Sequence, residues 1–239
     1  MKTAEIFETL NTISPFELQE GWDNSGINVD CKEFDEAKIY LSLDVDSTLV
    51  EKLPENSLLI THHPLIFKPI KNFSISEFPS SIITKMVAKN ISHIAMHTNF
   101  DKSHLNKYVC QEVLGFEPKE SEEYILEFEV NKNLHELINY LKNQTKNDHI
   151  KYTPSHEYIK TASLVTGSAA SMLGEIKTEC FITGDVKYHD AMLAKELGIT
   201  LIDIGHFESE HFFGEILLKE LQLRKFSAII TNSDNPFTF

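Results

Sequence analysis

Leu58–Pro64 reads LLITHHP, a short apolar run that stops on two adjacent histidines. Its length and branched apolar residues predict a buried strand, and the segment just past a strand's C-terminal end is where α/β sheets place their chemistry. Two further stretches repeat that form: ISHIAMHTNFD at Ile91–Asp101 and ITLIDIGHFESE at Ile199–Glu210. In each, an apolar run leads to a histidine and, four residues on, to an acid: His97 with Asp101, His206 with Glu210. Imidazole nitrogens and carboxylate oxygens are the usual ligands of divalent first-row metals, so the three strand ends together predict a metal site.

Adjacent side chains on a regular strand point to opposite faces. His62 and His63 would therefore serve two ions rather than chelate one, unless the backbone bends at Pro64. That favours a dinuclear centre, in which a carboxylate bridges two metals. Asp101 and Glu210 also suit a plainer role as first-turn acids of a helix. His93, His104, His135, His149 and His156 lack a strand-end context and read as structural or solvent-facing.

Outward from this stretch, residues 3–12 predict an amphipathic helix ending before Pro15, followed by the GWDNSG loop. Residues 37–45 predict a strand, 47–53 a short helix, and 80–90 a helix with a serine N-cap. A strand at 91–96 and a helix at 104–115, closed by Gly115, complete the first half. Then come a strand at 124–130, a helix at 133–143 and a polar loop or hairpin, QTKNDHIKYTPSHE. From Tyr158 the order of the first half returns: CFITGDVKYHD sets under LLITHHP, and AMLAKELGITLIDIGHFESE under SIITKMVAKNISHIAMHTNFD. An internal duplication is expected, with His97/Asp101 and His206/Glu210 in equivalent positions. Charge and proline in FEPKESE place the domain boundary near residues 116–122, giving an N-terminal α/β lobe at 1–119 and a C-terminal one at 120–239.

The chain has 239 residues, 41% hydrophobic and 24% charged, as expected of a soluble globular protein. A formal charge of −14 argues against nucleic acid and anionic membranes and suits a divalent cation. Cys31, Cys110 and Cys180 are odd in number and widely spaced, which indicates neither a disulfide framework nor a thiolate zinc site and points to a reducing cytoplasm. No signal peptide or membrane-spanning run is expected.

Asp185, Lys187 and His189, in TGDVKYHDA, occupy the repeat position of the histidine pair. They suit groups that orient a ligand or touch substrate, and Lys187 suits a phosphate. Trp22–Gly26 combines turn formers with the only tryptophan, which suits packing a turn as well as holding a ligand, and VTGSAAS is a weak anion-binding candidate because it lacks the phosphate-loop patterns. No H-E-x-x-H motif occurs.

WDNSG, ITHHP, HTNFD, TGD with a following histidine, GHFESE and the closing NPF, in that order, resemble the NGG-interacting-factor-three-like proteins. Bacterial members of that family go by the name GTP cyclohydrolase I type 2 or its homologues. The resemblance covers nearly the whole chain, and its motifs are specific in combination. It implies two interlinked α/β lobes of similar topology, a dinuclear metal site in the cleft between them, and a toroidal homohexamer. By motif position it implies two divalent ions (zinc, manganese, iron or nickel) on His62, His63, Asp101, His206 and Glu210, with His97 either ligating or supporting the shell. Where many members carry TGE before paired histidines, this chain has TGD and a single His189 followed by Asp190.

The activity so implied is metal-dependent hydrolysis of a small molecule. With GTP, water adds at guanine C8, formate leaves, and dihydroneopterin triphosphate forms. Glu210 or Asp101 would bridge or shuttle protons, and Lys187 and His189 are substrate candidates. The charge of −14 opposes a tetra-anion unless metals or local lysines reverse it. A dinuclear phosphoesterase or amidohydrolase is the alternative within hydrolases. A non-catalytic metal-binding or scaffold protein is the alternative outside them, since the eukaryotic relatives are named for an interaction with a transcription factor.

Overall fold

The structure is a computed structural model and describes residues 3–32, 38–119, 124–231 and 234–238. In chain order it runs α1 (Thr3–Ile13), β1 (Gly26–Val29), β2 (Lys38–Ser42), α2 (Ser47–Lys52), β3 (Ser57–Thr61), α3 (Ser80–Ala88), β4 (Ser92–Ala95) and α4 (Thr98–Phe100). Next come α5 (Asn106–Tyr108), β5 (Leu126–Asn133), α6 (Leu134–Thr145), β6 (Lys151–Thr153), β7 (Tyr158–Leu164) and β8 (Cys180–Thr183). Then follow α7 (Tyr188–Glu196), β9 (Thr200–Asp203), α8 (His206–Glu210), α9 (Phe213–Leu223) and β10 (Ala228–Ile230). The chain forms two compact units, one of residues 1–103 with 212–234, the other of 104–211 with 235–239. The boundary expected near 116–122 falls in part on residues 120–123, outside the described residues.

The first unit is a five-stranded sheet in the order β1-β4-β3-β2-β10. β10, β2, β3 and β4 are parallel, and β1 closes the edge antiparallel to β4. All five residues of β3 are buried, as a strand covered on both faces requires. One apolar cluster joins Tyr40 and Leu59 to Val50 of α2, to Leu53 just after it, and to Ile82 and Met86 of α3. Phe213 packs edge-on against Phe100, ring centroids 5.0 Å apart. Asp46 caps α2 by accepting from the Leu49 N–H at 2.7 Å. The expected Ser80 cap is corrected: Pro79 holds the cap position, because its restricted φ already suits a helical turn, and Ser80 is buried inside the helix.

The second unit carries a sheet in the order β5-β7-β8-β9-β6. Its parallel trio β7-β8-β9 repeats β2-β3-β4, and β6 closes the edge antiparallel to β9 as β1 does to β4. The polar stretch read as a loop or hairpin thus supplies an edge strand. Phe181, Leu201, Val165 and Leu173 centre its core.

The duplication is visible in the sheets, but the two His-x-x-x-acid motifs are not in frame. Thr61 pairs with Ala95 and Thr183 with Asp203. One residue further, Met96 donates to the Thr61 carbonyl and Ile204 to that of Thr183, both at 2.8 Å. His97 therefore corresponds to Gly205, and His206 to Thr98. Each of His97 and Gly205 sits at the N-cap of its helix, while His206 is the first residue inside. The helix predicted from His104 also begins earlier, at Thr98. Among the described residues no helix is long and apolar enough to cross a membrane.

Candidate metal centre

In the first unit the ladder between β2 and β3 continues past the strands: His62 donates to the Ser42 carbonyl at 3.3 Å and His63 to that of Leu43 at 3.0 Å. The Thr61 hydroxyl then donates to the His63 carbonyl at 2.7 Å, tying the turn back on itself. That hydroxyl has one proton, so the His93 Nε2 at 2.6 Å must be the donor to it. Complete burial keeps His93 neutral, its pKa pushed down to about 3. His93 is thus a structural brace beneath the pair.

Bent in this way, the two histidines do not diverge as a regular strand would require. Their ring centroids lie 5.0 Å apart. The His97 ring stands 5.2 Å from His62 and 5.5 Å from His63. One ligand nitrogen from each of the three lies within 4.8 Å of the others. Asp101, the first residue of the π-helical turn that continues α4, brings a buried carboxylate oxygen to 3.4 Å from the His62 Nε2. That is about the edge of a tetrahedron with bonds of ~2.1 Å, the spacing of two donors on one ion.

His97 is held by a carboxylate from the Trp22–Gly26 loop, a role that the sequence does not single out. Asp23 accepts from the His97 Nδ1 at 2.8 Å and from the Thr98 N–H at 3.1 Å. Burial alone would raise the Asp23 carboxyl. The hydrogen bond from His97, with those from Thr98 and the Asn24 N–H, instead holds it well below the usual range. Asp44, which the sequence reading missed, does the same for His63, accepting from its Nδ1 at 2.7 Å. The signal was available in the register: Ser42 pairs with Thr61, so two residues on, Asp44 stands beside His63.

In the second unit the same logic recurs with different residues. Asp185 accepts from the His206 Nδ1 at 2.7 Å. The Glu210 carboxylate, one turn along α8, lies 2.8 Å from the His206 Nε2. Burial pushes the His206 imidazole towards its neutral form, but the hydrogen bonds to Asp185 and Glu210 outweigh it and raise the pKa to about 10. The site has the electrostatics of a cation holder, and a divalent ion would compete with the second proton for Nε2. Asp203 fixes the turn ahead of it, accepting from Gly205 at 3.0 Å and from Val186 at 3.1 Å. Lys187 and His189 are exposed at the start of α7, where the Lys187 N–H binds the Asp190 carboxylate at 2.9 Å.

Gly167 presses on Glu210. A Cβ there would lie 2.1 Å from the Glu210 Oε1, and its φ of +66° is in the region that favours glycine. Gly167→Ala should therefore displace the carboxylate and cost about 1–2 kcal/mol in backbone strain. Its signature is weakened metal retention with only a modest fall in unfolding midpoint.

All four histidines share one feature. The His62 Nδ1 lies 2.9 Å from the Met96 carbonyl, which can only accept, and the Nδ1 atoms of His63, His97 and His206 face the carboxylates of Asp44, Asp23 and Asp185. Each ring therefore carries a proton on Nδ1 and turns Nε2 away from that partner, the arrangement by which carboxylates and carbonyls orient metal-binding imidazoles. The donors are nitrogen and oxygen without thiolate, and they fit a divalent first-row ion.

A family model described as Duf34/NIF3 (NGG1p interacting factor 3) matches residues 1–236. The chain is 40% identical over 240 residues to a Campylobacter jejuni protein named GTP cyclohydrolase 1 type 2 homolog, covering 100% of both. It is 41% identical over 234 residues to a Helicobacter pylori protein named GTP cyclohydrolase 1 type 2, covering 97% of this chain and 96% of that one. In fold it is similar to a Staphylococcus aureus hypothetical protein of known crystal structure, with a TM-score of 0.84 at 22% identity, covering 100% of this chain and 99% of the other.

Proposed function

Because the chain belongs to the Duf34/NIF3 family, we propose that it is a dinuclear metal-dependent hydrolase that opens the guanine ring of GTP. Two divalent ions would be held by His62, His63, Asp101, His206 and Glu210, with His97 completing the histidine trio. The observation that carries this reading is the fourfold Nδ1 anchoring. Protein groups hold the Nδ1 side of four imidazoles, and two of these rings have a buried carboxylate close to Nε2. Such carboxylates are costly to bury without a cation. The naming of relatives at 40–41% identity supports the choice of GTP.

When bound, the ions would activate water and polarise the bond it attacks. This chain's own residues have separate tasks. Asp23, Asp44 and Asp185 hold the imidazoles in orientation through Nδ1. Glu210, whose carboxylate lies 2.8 Å from the His206 Nε2, would ligate beside it. Asp101, with only 3% of its side chain exposed, keeps negative charge against His62 away from solvent.

The orienting role has a direct check. Asp185 is exposed, so Asp185→Asn should leave folding unchanged yet weaken metal retention about 10–100-fold, the usual cost of losing a carboxylate behind a ligating histidine. Equilibrium dialysis of both proteins against the same metal buffer measures it. The reaction itself is tested by incubating metal-loaded protein with GTP: formate and a fluorescent pterin are expected. Absence of both with every metal would reject GTP. Full coordination without an open position would favour a non-catalytic metal-binding protein.

A further inference from the structure

Beside the histidine trio, the first unit exposes two large aromatic side chains that its core does not use. Trp22 is 60% exposed and Phe67 44%. Their ring centroids lie 5.8 Å apart with planes inclined by 60°. Each also meets the His97 ring edge-on, Trp22 at 6.1 Å and Phe67 at 6.2 Å. Trp22 precedes the Asp23 that orients His97, and Phe67 lies four residues after His63. Both rings therefore sit on segments that also fix metal-ligand candidates.

The pair is braced rather than loosely presented. The Asn24 side chain donates to the Ile66 carbonyl at 2.5 Å, and the Asn28 carboxamide accepts from the Ile66 N–H at 3.0 Å and donates to the Asn24 carbonyl at 3.0 Å. These bonds lock the Trp22 loop to the Phe67 segment, so the rings meet a ligand without a further ordering cost. A flat partner stacks on one of two rings inclined this way and meets the other edge-on, and such aromatic contact tolerates any planar ring of nucleobase size. The charge agrees. Residues 56–76 contain Lys68 and Lys71 and no acid, in a chain of net charge −14, which suits a flat ring bearing an anionic substituent.

We propose that Trp22 and Phe67 form the stacking platform for the planar heteroaromatic ring of the substrate, setting it beside His97. The proposal deepens the functional reading above and rests on it for the identity of the neighbouring chemistry. It assigns ring recognition to two residues outside the ligand set.

Trp22 is the sole tryptophan, so its fluorescence reports the site directly. Guanosine, titrated into the full-length protein with inner-filter correction, should quench it saturably, while ribose and inorganic tripolyphosphate should not. Phe67→Ala and Phe67→Leu should weaken guanosine binding about tenfold or more, and Phe67→Tyr should restore it. Calorimetry with Trp22→Ala should show a similar loss, and Trp22→Phe a smaller one. The guanosine quench should survive removal of metal by a chelator. A protein that takes up no metal under any loading condition yet still shows the quench sinks the metal reading and leaves the platform standing. The platform is overturned by the absence of saturable quenching, by equal quenching from tripolyphosphate or ribose, or by unchanged affinity in Phe67→Leu. A quench that follows protein concentration alone also overturns it, because a second copy of the chain then covers the rings.

Discussion

Asp101→Asn is expected to weaken metal retention at the ligands proposed in the first unit while leaving the fold intact. The substitution keeps the shape of the side chain and removes its charge, 3.4 Å from the His62 Nε2. Metal affinity should fall about 100-fold or more, because even partners behind a ligand are worth 10–100-fold. The metal-free protein should not lose stability. A buried carboxylate is costly to desolvate, and its amide less so, so the unfolding midpoint of the metal-free variant should match or exceed that of the parent. Stabilisation by added metal should shrink in proportion to the lost affinity. Metal titration followed by unfolding, with and without chelator, separates these two signs. A variant that is equally unstable with and without metal would show that Asp101 serves packing alone.

The second large effect lies at Gly184, the counterpart of His62 in the duplicated sheet. A Cβ there would meet the His206 backbone nitrogen at 2.7 Å, the Gly205 carbonyl carbon at 2.8 Å and the Gly167 carbonyl oxygen at 2.9 Å. All three are main-chain atoms, so no side chain can swing aside. The Gly184 N–H also donates to the Gly167 carbonyl at 2.7 Å, which shows how tightly the turns are seated. Gly184→Ala should cost about 3 kcal/mol or more, at the upper end for overpacking, and should push His206 off Asp185. Chemical denaturation gives the stability change. Loss of metal from His206 should accompany it. Gly198→Ala is the control: nothing lies within 4 Å of its added Cβ, and only its φ of +69° is strained, so it should cost about 1–2 kcal/mol without disturbing metal.

The contrast between Gly184 and His62 shows what the sequence made legible. Short apolar runs ending in histidine located β3, β4 and β9, because strands covered on both faces need continuous hydrophobicity. The order of elements exposed the duplication. Its frame was not legible from spacing alone. Each histidine precedes its acid by four residues, but helix α8 starts on His206 whereas His97 stands just outside α4, and only hydrogen-bond register separates the two.

The edge strand β6 was missed because its three residues, KYT, carry no apolar pattern and are specified by the partner strand. Asp44 and Asp23 could not be found from spacing alone, Asp44 becoming visible only once the β2–β3 register is known. A carboxylate that orients a histidine through Nδ1 comes from a neighbouring strand end or a distant loop, 19 and 74 residues away, at no fixed spacing. The bend that brings His62 and His63 together depends on Thr61, whose hydroxyl reads in sequence as one more strand residue.

The most direct measurement is anomalous diffraction at a metal absorption edge, from crystals of the full chain loaded in turn with zinc, manganese, iron and nickel. Peaks within bonding distance of the Nε2 atoms of His62, His63 and His206, and of the carboxylates of Asp101 and Glu210, are the predicted result. Histidine Nε2 atoms contacted only by solvent under every loading condition would contradict it.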